Sequence, residues 1–132
     1  MTVALAHQVS PTGRIALTLA ATEAQYRGTG LAVLHVTESA LDADTTDAYR
    51  AGVADEIERV LGQDAEVDWD LHLQSSGLDV GEQLVALTNK VGAELLVIGA
   101  RRRSPVGKAF LGSVTQTIIL NADVPVLVVK TP

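Results

Sequence analysis

The chain has 132 residues and no cysteine, which excludes disulfides and thiolate metal sites, and its length suits one domain, residues 1–132, with a core that needs no such staples. Apolar residues make up 47% and aromatic residues 3%, so Ala, Val, Leu and Ile must build that core, and no apolar run reaches the roughly 20 residues of a membrane-crossing helix. A net charge of −6 argues against nucleic acid as a partner, since an acidic surface repels phosphate backbones, and the first residues lack the charged start of a secretory leader; a cytoplasmic protein is expected, with neither nucleic acid nor membrane as partner.

Apolar periodicity alternates between strand-like and helix-like segments. Val3 to His7 reads as a first strand. Ser10-Pro11 supplies an N-cap and a proline in the first helical position, and Ile15, Leu19, Thr22 and Tyr26 then share one face, with Ala16, Ala20 and Ala24 beside it. Gly28 and Gly30 end that helix, and Leu31 to Val36 is a second strand, apolar nearly throughout. After an acidic connection over 37–43, a second helix is expected over Asp44 to Leu61. Tyr49, Val53, Ile57 and Val60 line its inner face, and its acids lie on the solvated one. Val67 to Leu73 alternates as a third strand, with Trp69 packing on the sheet. Gly77 and Asp79 open a third helix carrying Val80, Leu84, Leu87 and Val91 inward, which Gly92 ends. Leu95 to Gly99, Ser113 to Asn121 and Val124 to Val129 complete the order as strand, helix and strand.

Strands alternating with helices imply an α/β fold: a Rossmann-like open parallel five-stranded sheet with helices on both faces. In such sheets a ligand binds outside the carboxyl ends of the strands, where strand order reverses. The loops after the first strand (His7 to Ser10) and after the fourth (Gly99 to Gly112) are therefore the expected walls of a site. The second holds the main basic cluster of the chain, Arg101-Arg102-Arg103 with Lys108, and runs into a helix start at Gly112-Ser113. A helix N-terminus offers free N–H groups and a partial positive charge, which suits a phosphate. Gly99 is read as the turn out of the buried strand, and Ser113 with Gln116 as a capping box whose hydroxyl can instead donate to a phosphate oxygen.

Other chemistries find little support in the pattern. Gly107-Lys108 is followed by Ala109, which breaks the P-loop pattern, and no Gly-x-Gly-x-x-Gly follows the first strand. His7, His35 and His72 fall in or near three strands whose side chains need not converge, so metal coordination is not expected. No nucleophile–base pair is evident.

Gly99, two residues, Arg102, nine residues and then Gly112-Ser113 resembles the nucleotide loop of the universal stress protein family, whose ATP-binding members carry Gly-x-x-Gly, nine residues, then Gly-Ser or Gly-Thr. The resemblance extends over Val114-Thr115-Gln116, Val124 to Val129, Leu31 to Val36 and Gly92 to Gly99. It implies a stress-response sensor or regulator binding an adenine nucleotide (ATP, ADP or AMP). Adenine would lie against Pro11 and the main chain near Val36, with Ile98 beneath. Phosphate would meet the N–H groups of Gly112, Ser113, Val114 and Thr115, the Ser113 hydroxyl and Arg102. The chain departs from the pattern twice: His7 stands where the ATP binders carry a carboxylate, leaving no suited ligand for Mg²⁺ there, and Arg102 replaces a glycine. The resemblance also implies a homodimer through the last strand, Val124 to Val129. A nucleotide-free dimeric interaction module and, behind it, a slow nucleotide hydrolase are the alternatives.

Overall fold

The computed structural model describes residues 1–131 apart from 39–40, 63–64, 76–78 and 102–111. Among them, five strands alternate with four helices: β1 (Thr2–Ala6), α1 (Pro11–Arg27), β2 (Gly30–Thr37), α2 (Ala43–Leu61), β3 (Trp69–Ser75), α3 (Val80–Lys90), β4 (Ala93–Arg101), α4 (Ser113–Asn121) and β5 (Val126–Thr131). All strand pairs are parallel, in the order β3-β2-β1-β4-β5. Consecutive strands step one way from β1 to β3 and the other way from β4 to β5, so the reversal lies between β1 and β4.

The alternation of side chains along each strand divides the interior in two. Val3, Leu5, Leu31, Val33, Leu95 and Val97 form one apolar cluster with Ala16, Leu17, Ala20 and Ala24 of α1 and Val53 and Ile57 of α2. Ala4, Ala6, Ala32, Leu34, Leu96 and Ile98 form the other, with Leu84 and Leu87 of α3 and Ile118 of α4. β1 is central and covered on both faces, which is why it reads as a continuous apolar run without polar alternation.

Several expectations change. The third strand runs over Trp69–Ser75 in place of 67–73, and the fifth over Val126–Thr131 in place of 124–129. β4 continues to Arg101, so Gly99 lies inside the strand, paired with Val129, and is not its exit turn. The largest correction concerns α1. Its inner face is Thr12, Gly13, Ala16, Leu17, Ala20, Ala21 and Ala24, while Ile15, Leu19 and Tyr26 are 47%, 42% and 84% exposed. The helix lies so close to β4 that a Cβ on Gly99 would stand 2.9 Å from Thr12 Cγ2 and 3.4 Å from Ala16 Cβ. Only small side chains fit in that gap. Gly28, in the left-handed conformation with φ 65°, ends α1 as the sequence implies. On α2, Glu56 is buried beside Val53 and Ile57, against the expectation that the acids of this helix face solvent.

Candidate functional site

The β1–α1 loop is tight. Ser10 caps α1 by accepting from the Gly13 N–H at 2.9 Å, and Gly13 sits so near the loop that a Cβ there would fall 1.9 Å from the Gln8 carbonyl oxygen. Pro11 follows in the first helical position, exposed. At the far edge of the same helix turn, the Thr12 and Thr131 hydroxyls share a buried 2.6 Å hydrogen bond, which ties α1 to the end of β5. The loop is thus fixed at both ends above the reversal point.

His7, one residue beyond β1, is buried, and its backbone N–H donates to the Leu34 carbonyl at 2.8 Å. The register pairs Ala6 with Leu34 on one side and with Ile98 on the other, so the next step sets His7 beside both His35 and Gly99. The ring Nδ1 atoms of His7 and His35 are 2.8 Å apart, and His35 Nε2 lies 2.8 Å from the Tyr49 hydroxyl on α2. The two imidazoles therefore converge, contrary to the sequence expectation. His72 stays apart, bonded to Asp70 at 2.7 Å. Among the described residues, no three His, Cys, Asp or Glu side chains are grouped to hold a metal ion.

Burial pushes the His7 imidazole down to about 4; the neighbouring His35 acts in the same direction and Glu56 opposes it. Burial also lowers His35. Glu56 is held below the usual carboxylate range, chiefly by the hydrogen bond from Arg14, whose Nε lies 2.8 Å from its Oε1; Arg59 approaches the other oxygen at 3.3 Å. Arg14, Glu56, His7, His35 and Tyr49 thus form one polar network between α1, α2 and the carboxyl ends of β1 and β2.

The remaining expected residues divide between this face and the other. Gly99 shares the α1 face with His7, whereas Val36 and Ile98 belong to the α3/α4 cluster, where Ile98 is buried and Val36 packs against it from a half-buried position. α4 begins one residue earlier than a capping box requires. Gly112 is its N-cap, exposed and extended, and Ser113 is the first helical residue. The Gln116 N–H bonds the Gly112 carbonyl at 3.0 Å, and among the described residues no side-chain hydrogen bond caps the helix. The other three helices are each capped by an oxygen side chain, from Ser10, Asp42 and Asp79. At α4, the Ser113 hydroxyl is exposed, Val114 half-buried and Thr115 buried. Arg102 and the rest of the basic loop to residue 111 lie outside the described residues, as does Gly77.

Sequence reasoning missed His35, Tyr49, Glu56, Arg14 and Gly13. A signal existed for one of them. Parallel pairing of the first two strands puts histidines at matching carboxyl-end positions, His7 and His35, on one face.

These features define an α/β protein whose parallel sheet reverses between β1 and β4, with a tight strand–helix loop after β1. The model of the family described as Universal stress protein family matches residues 1–130. A universal stress protein of Mycolicibacterium smegmatis is 39% identical over 128 residues, covering 97% of this chain and 96% of that one. The chain belongs to the universal stress protein family. Among solved structures, a universal stress protein from Archaeoglobus fulgidus superposes with TM-score 0.76 at 29% identity, over 98% of this chain and 97% of that one. The universal stress protein from the same organism in complex with dAMP gives 0.70 at 25%, over 98% and 96%.

Proposed function

We propose that this chain binds an adenine nucleotide in the crevice between the ends of β1 and β4 and acts in the cytoplasm as a homodimeric stress-response sensor or regulator. The observation that carries this reading is the start of α4: first-turn N–H groups that no side chain among the described residues caps, next to the exposed Ser113. Free N–H groups and the helix dipole favour an anion there. The dAMP bound by the Archaeoglobus fulgidus protein supports an adenine nucleotide as that anion. Pro11, Val36 and Ile98 are the residues we assign to the base, Gly112 to Thr115 with Arg102 to phosphate, and His7 with Gly99 to the crevice between them.

Mass spectrometry of small molecules released on denaturing the purified protein tests the reading, followed by titration with ATP. Near-stoichiometric nucleotide, or saturable ATP binding lost in Gly112→Val, is the expected outcome. Among the described residues nothing lies within 4 Å of a Cβ at Gly112 and its φ is −64°, so that variant is expected to fold, and urea unfolding checks that its loss of binding reports on the ligand. Failure of both measurements favours a second reading, a nucleotide-free interaction module. The neutral imidazole of His7 at the end of β1 is the observation behind it.

The homodimer rests on β5. It is an edge strand with Leu127 38% exposed, and an edge with free backbone groups pairs readily with a second copy. Among the described residues no helix is long and apolar enough to cross a membrane.

A further inference from the structure

A hydrogen bond between two Nδ1 atoms contains one proton. In the neutral pair one ring donates and the other accepts. With one proton added, an imidazolium donates to a neutral ring, and the bond strengthens because its donor is charged. With two added, both Nδ1 atoms would carry hydrogens 2.8 Å apart, and the bond is lost. The pair is therefore built to hold at most one extra proton. Tyr49 can serve either state: its hydroxyl donates to a bare His35 Nε2 or accepts from a protonated one.

The groups facing the pair limit where that proton comes from. β2 supplies His35, α2 supplies Tyr49 and Glu56, and α1 supplies Arg14; Arg59 of α2 holds the second oxygen of Glu56. β4 sets Gly99 beside His7, with no side chain at all. Glu56, the anion of the group, is neutralised by two guanidiniums. Among the described residues the pair thus lacks a free counter-charge of its own. Among the described residues no buried side-chain nitrogen or oxygen lacks a partner, and His7 Nδ1 is taken by His35, which leaves Nε2 as the ring nitrogen open to a further bond.

We infer that nucleotide binding in this crevice draws one proton from solvent onto the His7–His35 pair, so that the phosphate charge is balanced by an imidazolium in place of a divalent cation. The inference rests on the nucleotide site proposed above. An anion next to His7 Nε2 supplies the missing counter-charge, and the favourable interaction of phosphate with imidazolium raises the proton affinity of the pair. By linkage, the nucleotide then binds more tightly as pH falls from neutrality, by up to about tenfold per unit.

The test is calorimetric titration of the full chain with ATP in EDTA between pH 5.5 and 8, in two buffers of different protonation enthalpy, for the native protein and His7→Gln. The protonation of free ATP, titrated alone in the same buffers, is subtracted from both. The native protein is expected to take up close to one proton more than His7→Gln near pH 6, to gain affinity on acidification where the variant does not, and to bind no more tightly when Mg²⁺ replaces EDTA at pH 7.5. Tyr49→Phe, at a half-exposed position, removes the acceptor for a protonated His35 and should move the midpoint of the native pH profile to lower pH. ATP binding with equal proton uptake in native and His7→Gln overturns the inference and leaves the site standing, and tightening by more than tenfold with Mg²⁺ does the same. Absence of ATP binding to the native protein across the whole pH range overturns both.

Discussion

Acid should weaken this fold through His7 before any carboxylate titrates. The imidazole has an ordinary value of 6.5 and is held near 4 in the folded chain, chiefly by burial. On acidification the unfolded chain therefore takes up its proton first. Between pH 6.5 and 4 the unfolded state binds more protons than the folded one, and stability falls as pH falls; above 6.5 the group contributes no slope. The gap of about two and a half units, at about 1.4 kcal/mol each, corresponds to about 3 kcal/mol lost by pH 4. His35 is lowered too and adds in the same direction. Glu56, lowered from 4.5, contributes stability that is lost only as pH drops below that value, so its effect lies at the acid end of the window. Urea unfolding at pH 7.5, 6.5, 5.5 and 4.5 should show native stability falling by about 2–3 kcal/mol relative to His7→Gln, whose amide does not titrate. Parallel profiles for the two proteins over that range would refute the reasoning, since they would mean that the buried ring takes up its proton in the folded state at no cost.

Further expectations follow from the loops and the edge. Gly13→Ala drives a Cβ into the Gln8 carbonyl oxygen at 1.9 Å, a backbone atom with nowhere to go, and should cost about 3 kcal/mol or more in urea unfolding. Ser113→Ala should leave stability within about 0.5 kcal/mol, because the exposed hydroxyl caps nothing, yet lower ATP affinity about tenfold by removing a donor to phosphate. Leu127→Glu places a charge on the exposed face of the edge strand; sedimentation should find the native chain dimeric, as proposed, and the variant monomeric at the same concentration.

The order of elements was readable because each segment carries its own period, and the ends of most helices carry their own punctuation: Ser10, Gly28, Gly62 and Asp79 all act at helix ends where local chemistry put them. What could not be read is what depends on distance between elements. Large apolar side chains normally mark the buried face of a helix, but α1 is pressed onto β4 at Gly99, and the near contact selects alanines. Ile15, Leu19 and Tyr26 follow Thr12 at helical spacing, on the flank that Thr12 turns toward β5, and there they stay exposed. Glu56 looks solvated in sequence because its partner, Arg14, lies 42 residues away. The histidine pair needed the β1–β2 register, which an apolar run does not disclose. At α4 the error was one residue: a helix beginning at Ser113 leaves the cap to Gly112, and a glycine has no side chain to give.

That one-residue difference bears on how stability and binding are divided in the molecule. An Asp, Ser or Asn at the N-cap of α4 would satisfy a first-turn N–H and stabilise the helix by about 1 kcal/mol. It would also place an oxygen where the proposed phosphate would approach, and a carboxylate there would repel it. α4 is instead held from the side: Gly81 of α3 lies so close that a Cβ would meet Thr117 at 2.8 Å, and Ile118 is fully buried between the sheet and α3. Lateral packing fixes the helix while its end stays uncapped. On the opposite face the arrangement is reversed, for α1 is capped, clamped through Gly13 and Thr12, and carries Arg14 to the charged network. The α1 side of the sheet reversal is therefore clamped and titratable, and the α4 side is apolar beneath the helix start. On the reading proposed above, an anion in this region would meet N–H groups from α4 and a histidine pair whose charge can follow its own.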